Sequence, residues 1–117
     1  MHNGDPLTAR TVRVPPGHPA TGNPPFTWLE SARDAVKLKT LDTIADWSIG
    51  RMLYLLESFN GFGYRPFKVP TPYLWSFSNL YEKGKYVDDG VYSAAAVSEQ
   101  CGAAVILKAG RNSGLFA

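Results

Sequence analysis

The segment Leu56–Tyr86, LESFNGFGYRPFKVPTPYLWSFSNLYEKGKY, holds nine aromatic residues, three glycines and two asparagines. A helix that only fills a core is built from Leu, Ile and Val, so this composition reads instead as the wall of a cleft. Locally it is the end of one helix, a loop and a second, short helix. Asn60-Gly61 terminates the first, because glycine takes the backbone conformation found just past a helix end. That helix starts around Asp46 or Ser48 and carries Ile49, Met52, Leu53 and Leu56 on one face. Prolines at 66, 70 and 72 keep the chain after Gly61 in a loop. A short helix is then expected over Tyr73–Glu82, stopping before Gly84.

Upstream of the quoted segment, Thr27 and Glu30 have the spacing of a capping box, which starts a helix that ends near Lys39. Trp28, Ala32, Ala35 and Val36 form its expected apolar stripe. Residues 1–26 differ from the rest, with six of the nine prolines and three glycines. They exclude a helix and allow one short strand or hairpin arm at Thr8–Val14. Downstream, Asp88-Asp89-Gly90 is a turn. Ser93 is placed to cap a last helix over Ala94–Ala109, ended by Gly110 and striped by Val97, Cys101, Ala104 and Val105. The expectation is one mainly α domain over residues 1–117. It comprises a loop or β-hairpin lobe (1–26) and a helical lobe (27–110).

Composition removes several function classes. Twelve Lys and Arg against ten Asp and Glu give a net charge of +2, with no run of like charges, which argues against a nucleic-acid surface. The single cysteine, Cys101, excludes an intrachain disulfide and a cysteine metal site, and its expected place is a buried helical position. His2 and His18 both fall in the loop-like front segment, so nothing pairs a histidine with that thiol. Asp88-Asp89-Gly90 lacks the spacing of a calcium loop, and no metal or cofactor is expected. MHNGDPLTAR has neither the charged nor the apolar region of a signal peptide, and no apolar run reaches membrane-spanning length.

Aromatic faces beside amides suit a sugar polymer: rings stack on the apolar faces of pyranoses, and amides bond hydroxyl and N-acetyl groups. Asn60, Tyr64, Trp75, Asn79 and Tyr81 are the candidates for such subsites. The competing reading of FNGFGY is a glycine cap with aromatics that fill the core, and that of Trp75 is a buried ring. Glycosidic cleavage needs a carboxyl acid, commonly with a second carboxylate across the sugar. Asp5, in the turn H-N-G-D-P, and Glu57, near the mouth of the aromatic loop, are the two candidates. Their structural alternatives are a turn-anchoring aspartate and a helix carboxylate bonded to the loop.

Several segments together, HNGDPLTARTVRVP (2–15), GNPPFTWLESARDA (22–35), FNGFGYR (59–65), PYLWSFSN (72–79) and QCGAAVILKA (100–109), resemble phage and bacterial lysozyme-like proteins of the cell-wall muramidase type. LLESFNGFGYR is also similar, more distantly, to the helix end of lytic transglycosylases. The resemblance implies a mostly helical lysozyme fold with a sugar cleft. It also implies cleavage of the bond between N-acetylmuramic acid and N-acetylglucosamine in peptidoglycan, and action at the cell wall or periplasm after release from the cytoplasm. In such proteins the general-acid glutamate lies on a helix before the HNGD segment. This sequence begins at that border, so the expectation is a lysozyme-like domain truncated at its N-terminus, without that helix and its glutamate and with reduced or no activity alone. Phe59 stands where the relatives have tyrosine, and Leu80 where a more polar residue follows Asn79. The alternative function is a non-catalytic glycan-binding or structural remnant of such a domain. Helix stripes left uncovered are expected to favour self-association.

Overall fold

A computed structural model of the chain describes residues 3–116; His2 lies outside them. The described residues form four helices and one antiparallel hairpin, and the architecture is mainly helical: α1 (Trp28–Leu38), α2 (Ile49–Asn60), α3 (Pro72–Trp75), β1 (Lys85–Asp88), β2 (Val91–Ser93) and α4 (Ala103–Asn112). Single 3-10 turns occupy Leu41–Thr43 and Arg65–Phe67. The chain divides into two compact units, residues 1–45 and 46–117. Among the described residues no helix is long and apolar enough to cross a membrane.

In the first unit, residues 3–26 form no strand, contrary to the expectation for Thr8–Val14. The amides that a partner strand would take are used otherwise: Val12 and Arg13 both donate to the Asp5 carboxylate at 2.9 Å. Thr11 is buried and organises the next turn. Its amide donates to His18 O and its hydroxyl to Pro15 O, while His18 N donates back to Thr11 Oγ1. Arg10 donates to the carbonyls of Pro19 and Gly22, and its guanidinium lies 5.4 Å from the centre of the Phe26 ring. This segment is tied to α1 through Asp34, which accepts from Ala20 N and is 2.7 Å from His18 Nδ1.

The capping box that starts α1 is present: Thr27 N donates to Glu30 Oε2 at 2.7 Å, and Glu30 N to Thr27 Oγ1 at 3.2 Å. The covered face matches the expected stripe only in part. Ser31 and Ala35 are buried, whereas Trp28 is 75% exposed. Ala32 is half-buried and Val36 exposed, so the stripe keeps its small residues and loses its large ones.

In the second unit, α2 begins after Ser48, whose amide donates to Asp46 Oδ1, and ends at Gly61 with φ +90°. The next helix is one turn long instead of running to Glu82. Ser78 Oγ takes the Trp75 carbonyl at 2.6 Å and Phe77 adopts φ +68°, so the helical ladder cannot continue. A hairpin follows that the sequence reading did not assign; it supplies the β structure expected instead in residues 1–26. Its register is Lys85 opposite Ser93 and Tyr86 opposite Tyr92, with an irregularity before Asp88, and its turn is the Asp88-Asp89-Gly90 turn expected.

The last helix also starts later than expected, at Ala103, although Ala94-Ala95-Ala96 are strong helix formers. Tertiary bonds claim that backbone first. Gly84 N donates to Ala96 O at 2.7 Å, Ser98 N to the Tyr81 hydroxyl at 3.0 Å, and Ser76 Oγ to Ser98 O at 3.1 Å. Cys101 is consequently an exposed residue ahead of the helix, not a buried one within it. Gly102 ends the connection with its amide on Ser76 O, so close to the Leu74 carbonyl and Trp75 amide that a Cβ has no room.

The core of this unit is aromatic. Tyr64 is buried, and its ring meets Tyr73, Tyr86 and Tyr92 edge-on at 5.6, 5.2 and 6.2 Å; Phe67 stacks on Tyr92 at 3.8 Å. Leu55, Leu74 and Tyr81 are the other buried large side chains here. Because Gly102 sits against rigid backbone, Gly102→Ala is expected to destabilise the protein by about 1–3 kcal/mol. Gly50→Ala, whose added methyl meets nothing within 4 Å, serves as the control in the same urea titration.

Candidate functional site

The two candidate carboxylates have structural partners. Asp5 is 7% exposed and accepts hydrogen bonds from Val12 N, Arg13 N and Asn3 Nδ2, with Arg13 Nε 3.8 Å away. The Arg13 amide is the main cause that holds its pKa below the ordinary 3.8; burial works the other way without prevailing. A proton donor requires the opposite shift. Glu57, on α2, has both oxygens engaged by Arg65: Nε to Oε1 and Nη2 to Oε2, each at 3.0 Å. The same guanidinium lies 4.0 Å from the centre of the Phe62 ring. This fork fixes the loop after α2 to the helix, and Arg65 is held more firmly charged by it.

The five candidate sugar contacts are not brought together. Asn60 and Tyr64 line a cleft of about 220 Å³ with Gly61, Gly63, Tyr73, Tyr86 and the hairpin turn Asp88-Asp89-Gly90. Trp75 and Asn79 line a different groove of about 460 Å³, beside Phe77, Leu80 and the α4 residues Lys108 and Asn112. Tyr81 lines neither: it is buried, donating to Gly84 O at 3.0 Å while accepting from Ser98 N at 3.0 Å. Tyr64 is only 3% exposed and presents no face for stacking. Its hydroxyl accepts from Tyr86 N at 2.9 Å, and burial pushes its pKa up to about 12.

The smaller cleft has a local logic. The last turn of α2 sets the Asn60 amide at the rim, exposed. Gly61 turns the chain there, and a Cβ on it would meet nothing within 4 Å, which leaves its backbone open to approach. Gly63 serves another purpose: its missing Cβ makes room for the Tyr86 ring, whose hydroxyl donates to Gly63 O at 3.1 Å. Tyr73 and Tyr86 are half-buried, and burial raises the Tyr73 pKa. Asp88 and Asp89 stand opposite as exposed carboxylates. Amide, open backbone, aromatic edges and carboxylates thus converge on a space suited to one sugar-sized polar ring. Sequence reasoning did not name Tyr73, Tyr86, Asp88 or Asp89 as site residues. The available signal was the alternation K-Y-V-D and V-Y-S around D-D-G, which marks a hairpin able to fold back over the glycines.

The larger groove joins a third depression of about 620 Å³, with Trp75, Ala104, Lys108 and Asn112 shared between the two. Its remaining lining is mostly apolar: Trp47, Ile49, Met52, Leu53, Leu107 and Phe116. Among the described residues no group of three His, Cys, Asp or Glu is placed to hold a metal ion. Comparisons with protein-family models, with curated proteins and with solved structures give no match to this chain.

Because the Asp5 pKa is lowered in the folded state, its stabilising effect is complete above the ordinary carboxylate range and is lost as pH falls through the folded value. Glu30 and Asp46 are shifted in the same direction. Asp5→Asn is therefore expected to flatten, without abolishing, the fall in melting temperature between about pH 5 and about pH 2. Parallel curves for the two proteins across that range would show that the Asp5 charge is not what holds the turn.

Proposed function

We propose that the chain binds an N-acetylated glycan of the peptidoglycan type, as the sugar-gripping part of a lysozyme-like domain acting at the bacterial cell wall. The observation that carries this reading is the cleft of Asn60, Gly61, Tyr73, Tyr86, Asp88 and Asp89, where an exposed amide and an open backbone stand beside aromatic rings. The Asn60 amide suits an N-acetyl carbonyl, the Gly61 backbone a hydroxyl or N-acetyl group, and the two aspartates accept from sugar hydroxyls. The resemblance of FNGFGYR and its neighbours to muramidases supports the same class of ligand.

Cleavage between N-acetylmuramic acid and N-acetylglucosamine is the further activity that the resemblance implies. It requires a carboxyl that is protonated at the working pH. Asp5 is held ionised by backbone donors, and Glu57 has both oxygens committed to Arg65. Glycan binding by this chain, without rapid cleavage, is therefore the function its geometry favours.

Titration of the chain with tri-N-acetylchitotriose, followed by amide NMR shifts, tests the reading. Asn60→Ala should weaken binding by about 2–10-fold, the worth of one neutral hydrogen bond, with little change in melting temperature because the side chain is exposed. Asn79→Ala should leave binding unchanged. The reverse result would move the glycan to the Trp75 groove, and no shift at either place would remove the glycan reading altogether.

A further inference from the structure

The apolar depression of about 620 Å³ is separate from the glycan cleft: they share no lining residue. Its two long walls are helices. Ile49, Met52 and Leu53 on α2 follow the spacing i, i+3, i+4; Ala104, Leu107, Lys108 and Arg111 on α4 follow i, i+3, i+4, i+7. Trp75 belongs to the lining between them, with Trp47 and Phe116 from the flanking segments. Phe116 is held there by the turn after α4, where Leu115 N and Phe116 N both bond Gly110 O and the Phe116 ring rests where a Gly110 side chain would be.

These helix faces are only half covered. Leu55 is the one fully buried residue of α2, and on α4 only Gly110 is buried. Ile49 is 56% exposed, Trp47 43% and Phe116 40%. Helices hold their place by burying an apolar stripe against another element, and here two stripes face one trough. The charge in its lining has one sign, and the Asp46 carboxylate beside it accepts from the amide of Ser48. Lys108 and Arg111 belong to the lining, no Asp or Glu does, and neither cation is ion-paired with a described side chain.

We propose that this groove is the docking site for an amphipathic helix with an apolar stripe flanked by acidic residues. A trough between two helices accepts a third as the next layer, anchored by apolar side chains at i, i+3, i+4 and i+7. Lys108 and Arg111, without an ion pair among the described residues, select carboxylates along its edge, which sets orientation and encounter rate more than affinity. A neutral apolar ligand leaves both cations unanswered, and a basic helix is repelled by them.

The experiment uses the full chain and a displayed library of 18-residue helices with a fixed Leu/Ile/Phe stripe and Glu, Gln, Ser or Lys varied at the flanks. Selection should enrich Glu at flanking positions. The selected peptide should blue-shift tryptophan fluorescence and bind Lys108→Glu/Arg111→Glu about 5–10-fold more weakly, as expected for two rim charge pairs, with Lys-flanked peptides showing the reverse preference. Both substituted side chains are exposed, so the variant is expected to fold. Leu107→Glu, in the lining, should abolish binding. Selection of Lys or of no flank preference, failure to select any helix, or binding indifferent to Leu107→Glu would each overturn the proposal. So would a concentration-dependent dimer broken by Ile49→Glu, which would assign the groove to a second copy of the chain.

Discussion

The second unit depends on a backbone exchange between the loop at residues 76–84 and the connection at 94–102. Ser76, almost completely buried, accepts from Gly102 N through its carbonyl and donates to Ser98 O through its hydroxyl. Tyr81 adds a hydroxyl that donates to Gly84 O and accepts from Ser98 N. Both loops would otherwise hide unsatisfied peptide groups, at a cost of about 1–3 kcal/mol for each. Since every partner is also a partner of the next, removing one leaves others unpaired, and the network acts as a unit. Its geometry sets where α4 begins and, through Gly84, where β1 starts.

That exchange also separates aromatic residues that look alike in sequence. Tyr81 is drawn inward because its hydroxyl is needed between two loops. Tyr64 is drawn inward because the hairpin lays the Tyr86 amide against its hydroxyl and three rings around its own. Tyr73 and Trp75, two positions apart on a single helical turn, line different depressions. A run that reads as one continuous wall is therefore a core, a polar cleft and part of an apolar trough. The glycan reading belongs to the cleft, where aromatic and polar groups meet; the trough, apolar with cations at its edge, has the chemistry of a protein–protein contact.

The carboxylates illustrate how burial and partners decide chemistry. Asp5 and Glu57 stand out in the sequence because they interrupt turn and loop motifs. In the structure each organises those motifs: Asp5 gathers backbone amides that have no partner strand, and Glu57 fastens the loop through Arg65. A carboxylate that serves as the acceptor for a fold is stabilised as an anion, which is the reverse of what an acid catalyst needs. Asp88 and Asp89, which read as nothing more than a turn, are the carboxylates left facing an open cleft.

Local chemistry alone determined several features of this protein. The Thr27/Glu30 box starts α1, Asn60-Gly61 ends α2, and Asp88-Asp89-Gly90 turns the chain, because each depends on side-chain and backbone groups within a few residues. What only the tertiary structure decided is where such local preferences are overruled. Residues 94–96 favour helix, yet their backbone is bound to Gly84 and held off it. Thr8–Val14 has strand character, yet the Asp5 carboxylate occupies amides that a strand would pair. The expected apolar stripe on α1 survives only in its small residues: Ala35 is buried and Ala32 half-buried, while Trp28 and Val36 are exposed and Ser31 is buried in their place. Long-range hydrogen bonds and steric access, neither visible to a window of sequence, made those choices.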